Sequence, residues 1–79
     1  MENDDIKILV VDDEPNSTQI LRKILVKKGY SVTEENDSVK AKKLINENFY
    51  EIIISDLQMP EVDGMDLLKM KPIDSIFII

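Results

Sequence analysis

The sequence predicts an α/β domain built on an open parallel sheet with helices on both faces. Three observations lead there. Two short aliphatic runs without helical period, Ile8-Leu9-Val10-Val11 and Ile52-Ile53-Ile54, suit strands buried on both sides. Segments with helical apolar spacing alternate with these runs along the chain. Pro15, Gly29 and Pro72 stand at changeovers, where a helix must start or stop. The resulting order, β-α-β-α-β-α-β, calls for right-handed crossovers within one sheet.

Taken in order, Lys7 to Val11 form the first strand. Pro15 and Asn16 open a helix over 15–28, with Ile20, Leu21, Ile24 and Leu25 as its apolar stripe. Gly29 follows it as a left-handed cap, after lysines that suit the negative end of the helix dipole. Ser31 to Glu35 alternate weakly and read as an edge strand. Asp37 or Ser38 caps a second helix, whose modest apolar face is Val39, Ala41, Leu44 and Ile45. A third strand covers 51–55. A third helix from Gly64 carries Met65, Leu67, Leu68 and Met70 until Pro72 ends it. A fourth strand covers 75–79, and no repeat or linker interrupts residues 1–79.

Bulk properties narrow the function classes. A chain of 79 residues makes one small domain, which buries about 60% of its unfolded surface. It has no cysteine, so no disulfide staples it, and that composition fits a cytoplasmic protein. The longest uninterrupted apolar runs are four residues, which excludes a membrane-spanning helix, and the acidic start is unlike a signal peptide. A net charge of −6 argues against nonspecific nucleic-acid binding. The lysines fall mainly on the predicted helices, as on a solvated face. Acids instead gather beyond the strands, at Asp12, Asp13, Glu14, Asp56, Glu61 and Asp63.

In open parallel sheets, ligands bind beyond the carboxyl ends of the strands. If the first and third strands are neighbours, their tips lie about 4.8 Å apart. Asp12, Asp13 and Asp56 then converge, and three ionised carboxylates repel one another. A hard divalent cation relieves that repulsion, and all-oxygen ligation is the preference of Mg²⁺. A carboxylate beside such a cation can attack phosphorus to give an aspartyl phosphate. Asp56, alone at its strand tip, is the candidate nucleophile, and the Asp12-Asp13 pair is better placed to hold metal. Each acid taken singly reads as a strand terminator or a loop cap. The spacing of the whole set carries the functional reading.

These residues resemble two motifs of the receiver domain of two-component response regulators. Leu9-Val10-Val11-Asp12-Asp13-Glu14-Pro15 is similar to that family's acidic-pair motif. Asp56-Leu57-Gln58-Met59-Pro60-Glu61-Val62-Asp63-Gly64 is similar to its phosphoacceptor loop, Asp-x-x-Met-Pro-x-x-Asp-Gly. The resemblance covers the whole chain and implies strand order 2-1-3-4, part of a flavodoxin-like (βα)5 sheet. It implies that Asp56 is phosphorylated by a sensor histidine kinase or phosphotransfer protein, with no enzyme activity beyond transfer onto its own aspartate. It also implies that Asp13, Asp56 and the backbone carbonyl of Gln58 ligate Mg²⁺, with Asp12 acting through metal-bound water. Met59 and Pro60 would shape the loop and Gly64 its exit, although any turn there needs such residues.

Receiver domains have five strands and five helices, so the expectation for residues 1–79 is a partial receiver domain. The family's switch Ser or Thr, and the lysine after its fifth strand, have no counterpart here. Acceptor and metal ligands are present, but charge stabilisation and switching would be impaired. The Ile76-Phe77-Ile78-Ile79 strand would form an apolar edge, and the first helix would lack a neighbour. A homo-oligomer through the fourth strand and the uncovered sheet face follows as an expectation. An alternative function is a receiver-derived oligomerisation or interaction module indifferent to phosphorylation. An aspartyl-nucleophile phosphatase fits less well, because Gln58 stands where such enzymes usually place a second acid.

Overall fold

The computed structural model describes residues 6–55, Lys69 and residues 76–78. Its elements are β1 (Lys7–Val11), α1 (Pro15–Lys27), β2 (Ser31–Glu35), α2 (Ser38–Glu47), β3 (Ile52–Ser55) and β4 (Ile76–Ile78). The strands form one parallel sheet in the order β2-β1-β3-β4, as expected. Of the predicted third helix, Lys69 alone is described; it is helical and exposed.

Local chemistry sets the element ends. Pro15 occupies the first turn of α1, where its fixed φ suits a helix and its missing N–H leaves no bond unmade. The far end closes in a Schellman motif. The N–H of Tyr30 donates to the Leu25 carbonyl at 3.2 Å, and that of Gly29 to the Val26 carbonyl at 3.0 Å. Gly29 takes φ 95°, which a side chain would oppose. At the start of α2, Asp37 Oδ1 accepts from the N–H groups of Val39 at 2.8 Å and Lys40 at 3.3 Å. Asp37, not Ser38, is therefore the cap.

The pairing register assigns residues to faces. Leu9 lies beside Ile53, and Val11 beside Ser55 and Glu35. Leu9, Val11 and Ile53 bury themselves under Ala41 and Ile45 of α2, with Tyr50 completing the cluster. Ile8, Val10, Glu34, Ile52 and Ile54 share the opposite face, where α1 lies. Crossovers of one hand explain this division. The chain steps one way from β1 to β2 and back past β1 to β3, so successive helices land on opposite faces.

Two apolar faces differ from expectation. In α1 the inward positions are Thr18, fully buried, and the half-buried Leu21 and Leu25. Ile20 and Ile24 of the predicted stripe are 59% and 48% exposed. Leu21 and Leu25 form one ridge four residues apart, Ile20 and Ile24 the adjacent one, and the sheet beneath accepts the first. In α2, Ser38, Ala41 and Ile45 are the buried residues, spaced three and four apart on one line, and Val39 lies off that line and is exposed. β1 is buried on both faces. β3 is buried on the α2 face, while Ile52 and Ile54 remain partly exposed on the other.

Candidate functional site

The carboxyl ends of β1, β2 and β3 define one edge of the sheet. Val11 is the last residue of β1 and sits between Glu35 of β2 and Ser55 of β3. From Val11 the chain runs into Asp12 and Asp13; from Ser55 it runs into Asp56. Asp56, Gln58, Met59, Pro60 and Gly64 lie outside the described residues. The structure therefore describes the acidic pair and the strand end that precedes Asp56 in the chain.

Asp12 is half-buried and Asp13 exposed. Asp12 Oδ1 accepts from the N–H of Glu14 at 3.0 Å, a tight side-chain turn that aims the chain into α1. Glu14 makes no side-chain cap bond to the helix. The amino end of α1, the positive end of its dipole, thus adjoins the acidic pair and favours negative charge there. Among the described residues no three acidic side chains cluster closely enough to hold a metal ion. The donors of Asp12 and Asp13 are hard oxygens at one strand end, which fits a divalent cation completed by ligands from the neighbouring strand end and water.

A polar network beneath the pair escaped the sequence reading. Asn36, the residue after β2, donates from Nδ2 to the Asp12 carbonyl at 2.9 Å and to Thr18 Oγ1 at 2.8 Å. The Thr18 hydroxyl has the Pro15 carbonyl at 3.0 Å and Glu34 Oε1 at 3.1 Å within reach of its single proton. Glu34 Oε2 pairs with Arg22 Nε at 2.6 Å. The signal that could have found Asn36 is the same one that found Asp12: it follows a strand at the ligand-binding edge. Thr18 could have been found as a polar residue on the inward arc of α1. At the other end of the strands, Lys7, Ser31, Asn48, Phe49 and Tyr50 help line a cavity of about 200 Å³, remote from the acids.

Comparison with known proteins agrees with this geometry. Residues 8–74 match the profile of the response regulator receiver domain. The chain is 41% identical over 68 residues to the sensor histidine kinase RcsC of Escherichia coli K12, covering 86% of this chain and 7% of the relative. It is 37% identical over 67 residues to the two-component response regulator ORR22 of Oryza sativa subsp. indica, covering 82% of this chain and 10% of the relative. The chain thus spans about a tenth or less of the length of these curated relatives.

Solved structures give the same answer. A Burkholderia pseudomallei response regulator with a phosphorylated aspartic acid, calcium ion and citrate superposes with TM-score 0.81 at 27% identity, covering 92% of this chain and 45% of that one. The Thermotoga maritima response regulator TrrA in complex with Mg²⁺-BeF gives TM-score 0.75 at 33% identity, covering 81% of this chain and 56% of that one. The beryllofluoride-activated NtrC4 receiver domain dimer gives TM-score 0.78 at 37% identity, covering 91% of this chain and 62% of that one. The chain belongs to the response regulator receiver domain family, and so to two-component signalling. Among the described residues no helix is long and apolar enough to cross a membrane.

Proposed function

We propose that this chain is the phosphoacceptor of a two-component phosphorelay, with Asp56 as acceptor and Mg²⁺ as cofactor. The observation that carries the reading is the register of Val11 with Ser55, from which the chain continues into Asp12-Asp13 and Asp56. A carboxylate oxygen of Asp56 attacks phosphorus, and the bond from phosphorus to the donor's histidine nitrogen breaks. The released imidazole keeps the electron pair and takes a proton from solvent. Bound Mg²⁺ would neutralise charge on the transferring group. Asp13 and Asp56, with the carbonyl of Gln58, would hold it directly, and Asp12 through water. Met59, Pro60 and Gly64 would shape the loop. A sensor histidine kinase or phosphotransfer protein is the donor in this reading, and the cytoplasm its location.

Intact mass after incubation with a small phosphoryl donor tests the proposal. One added phosphoryl group is expected, dependent on Mg²⁺ and lost in Asp56→Asn. A folded chain that gains nothing would sink the reading.

A second reading rests on a different observation. Ile76 and Ile78 are 59% and 46% exposed and register with Ile52 and Ile54, beside the α1 face. Such a surface supports self-association through β4, as an interaction module whose behaviour does not change in Asp56→Asn. A monomeric mass at micromolar concentration would count against it.

A further inference from the structure

We propose that Asn36 is a positioning residue for the acidic pair. It holds the Asp12–Asp13 peptide in the orientation that presents both carboxylates to a divalent cation. The proposal rests on the metal-binding reading above and adds to it a residue from β2's far end.

Three consecutive peptide units after Val11 are each held by a specific bond. The N–H of Asp12 donates to the Glu35 carbonyl at 3.2 Å, which fixes the Val11–Asp12 unit. Asn36 Nδ2 donates to the Asp12 carbonyl at 2.9 Å, which fixes the Asp12–Asp13 unit. The N–H of Glu14 donates to Asp12 Oδ1 at 3.0 Å, which fixes the Asp13–Glu14 unit. Peptide units are planar, so fixing three in succession sets φ and ψ of both aspartates. The directions of both Cα–Cβ bonds follow. The middle bond is supplied by a side chain from another part of the chain.

Asn36 is itself braced. Its second amide hydrogen goes to the buried Thr18 Oγ1 at 2.8 Å. Its backbone N–H donates to Glu35 Oε2 at 3.1 Å, and the same oxygen takes the N–H of Asp37 at 3.0 Å. The Asp12 carbonyl can only accept, so the nitrogen of the Asn36 amide, not its oxygen, must face it. Without that bond the Asp12–Asp13 unit loses the restraint that sets its orientation, and repulsion between adjacent carboxylates turns them apart. A cation would then have to order them as it binds. Partners of this kind, one bond behind the ligands, commonly change metal affinity by about 10- to 100-fold.

The test is a titration of the 79-residue chain with Mn²⁺, a paramagnetic stand-in for Mg²⁺, read by the loss of its free-ion resonance signal. Wild type is compared with Asn36→Ala and Asp13→Asn. Asn36→Ala is expected to weaken Mn²⁺ binding about tenfold while the circular dichroism of the fold is retained. A purely structural role would lower the urea midpoint and leave affinity of the folded protein unchanged, which overturns the proposal. If wild type binds no Mn²⁺, or Asp13→Asn binds it equally well, the metal reading falls and Asn36's role with it. Should Asn36→Ala fail to fold, wild type decides the matter by magnetic resonance. The Asn36 side-chain amide signals are expected to shift on Mg²⁺ addition with the same midpoint as the Asp13 backbone amide. Side-chain signals that stay fixed while Asp13 moves overturn the proposal.

Discussion

Thr18 shows how much one buried hydroxyl can connect. It receives a hydrogen bond from Asn36 and can donate to Glu34 or to the Pro15 carbonyl. Thr18→Val keeps the shape but leaves an Asn36 N–H without its acceptor in a buried place. The expected loss is about 1–3 kcal/mol of stability, read from urea unfolding midpoints. The Arg22–Glu34 pair beside it is partly solvated, so its own contribution is at most about 1 kcal/mol. Asp12 and Asp13 stand out in the sequence as adjacent acids at the end of an aliphatic run, and the structure places them directly after β1. Thr18 and Asn36 do not stand out. Both residue types are ordinary near helix starts and in loops, and only folding brings together positions 18 residues apart.

The element ends were legible for a related reason: cap chemistry is local. Pro15, Gly29 and Asp37 each act on backbone groups within a few residues, so residue type narrows each cap to one or two positions; at α2 it offers Asp37 and Ser38, and the hydrogen bonds to Asp37 decide. Gly29 offers the sharpest check. Its φ of 95° is strained for any residue with a Cβ, so Gly29→Ala is expected to lower stability by about 1–2 kcal/mol, measured by thermal or urea unfolding. The facing of α1 was less legible. Ile20, Leu21, Ile24 and Leu25 supply two adjacent apolar ridges, and periodicity alone does not choose between them. The choice is made by the sheet, which accepts the ridge containing Leu21 and Leu25.

Across the whole molecule the two faces of the sheet are unequal. The α2 face is closed over Leu9, Val11 and Ile53. The α1 face carries partly exposed Ile52 and Ile54, exposed Ile76 and Ile78, and the Ile20–Ile24 ridge alongside. On the proposed self-association through β4, replacing Ile76 and Ile78 together by Lys is expected to shift the chain toward monomer in sedimentation, since charges on an edge strand oppose pairing. An unchanged mass distribution would show that β4 does not mediate assembly. The strand order itself was read from family resemblance. Aliphatic runs mark strands but carry no label for their neighbours, whereas the motifs at their ends did.

The hydrogen bonds around Asn36 also bear on the order in which the chain takes shape. They join positions 16 to 24 residues apart, all between β1 and the start of α2. Contact between β1 and β3, by comparison, joins positions 44 apart, as in the bond from the Lys7 N–H to Glu51. Short loops close with less loss of entropy, so the first βαβ unit can assemble ahead of the rest. A nascent chain would then acquire the geometry of its acidic pair before β3 arrives beside β1.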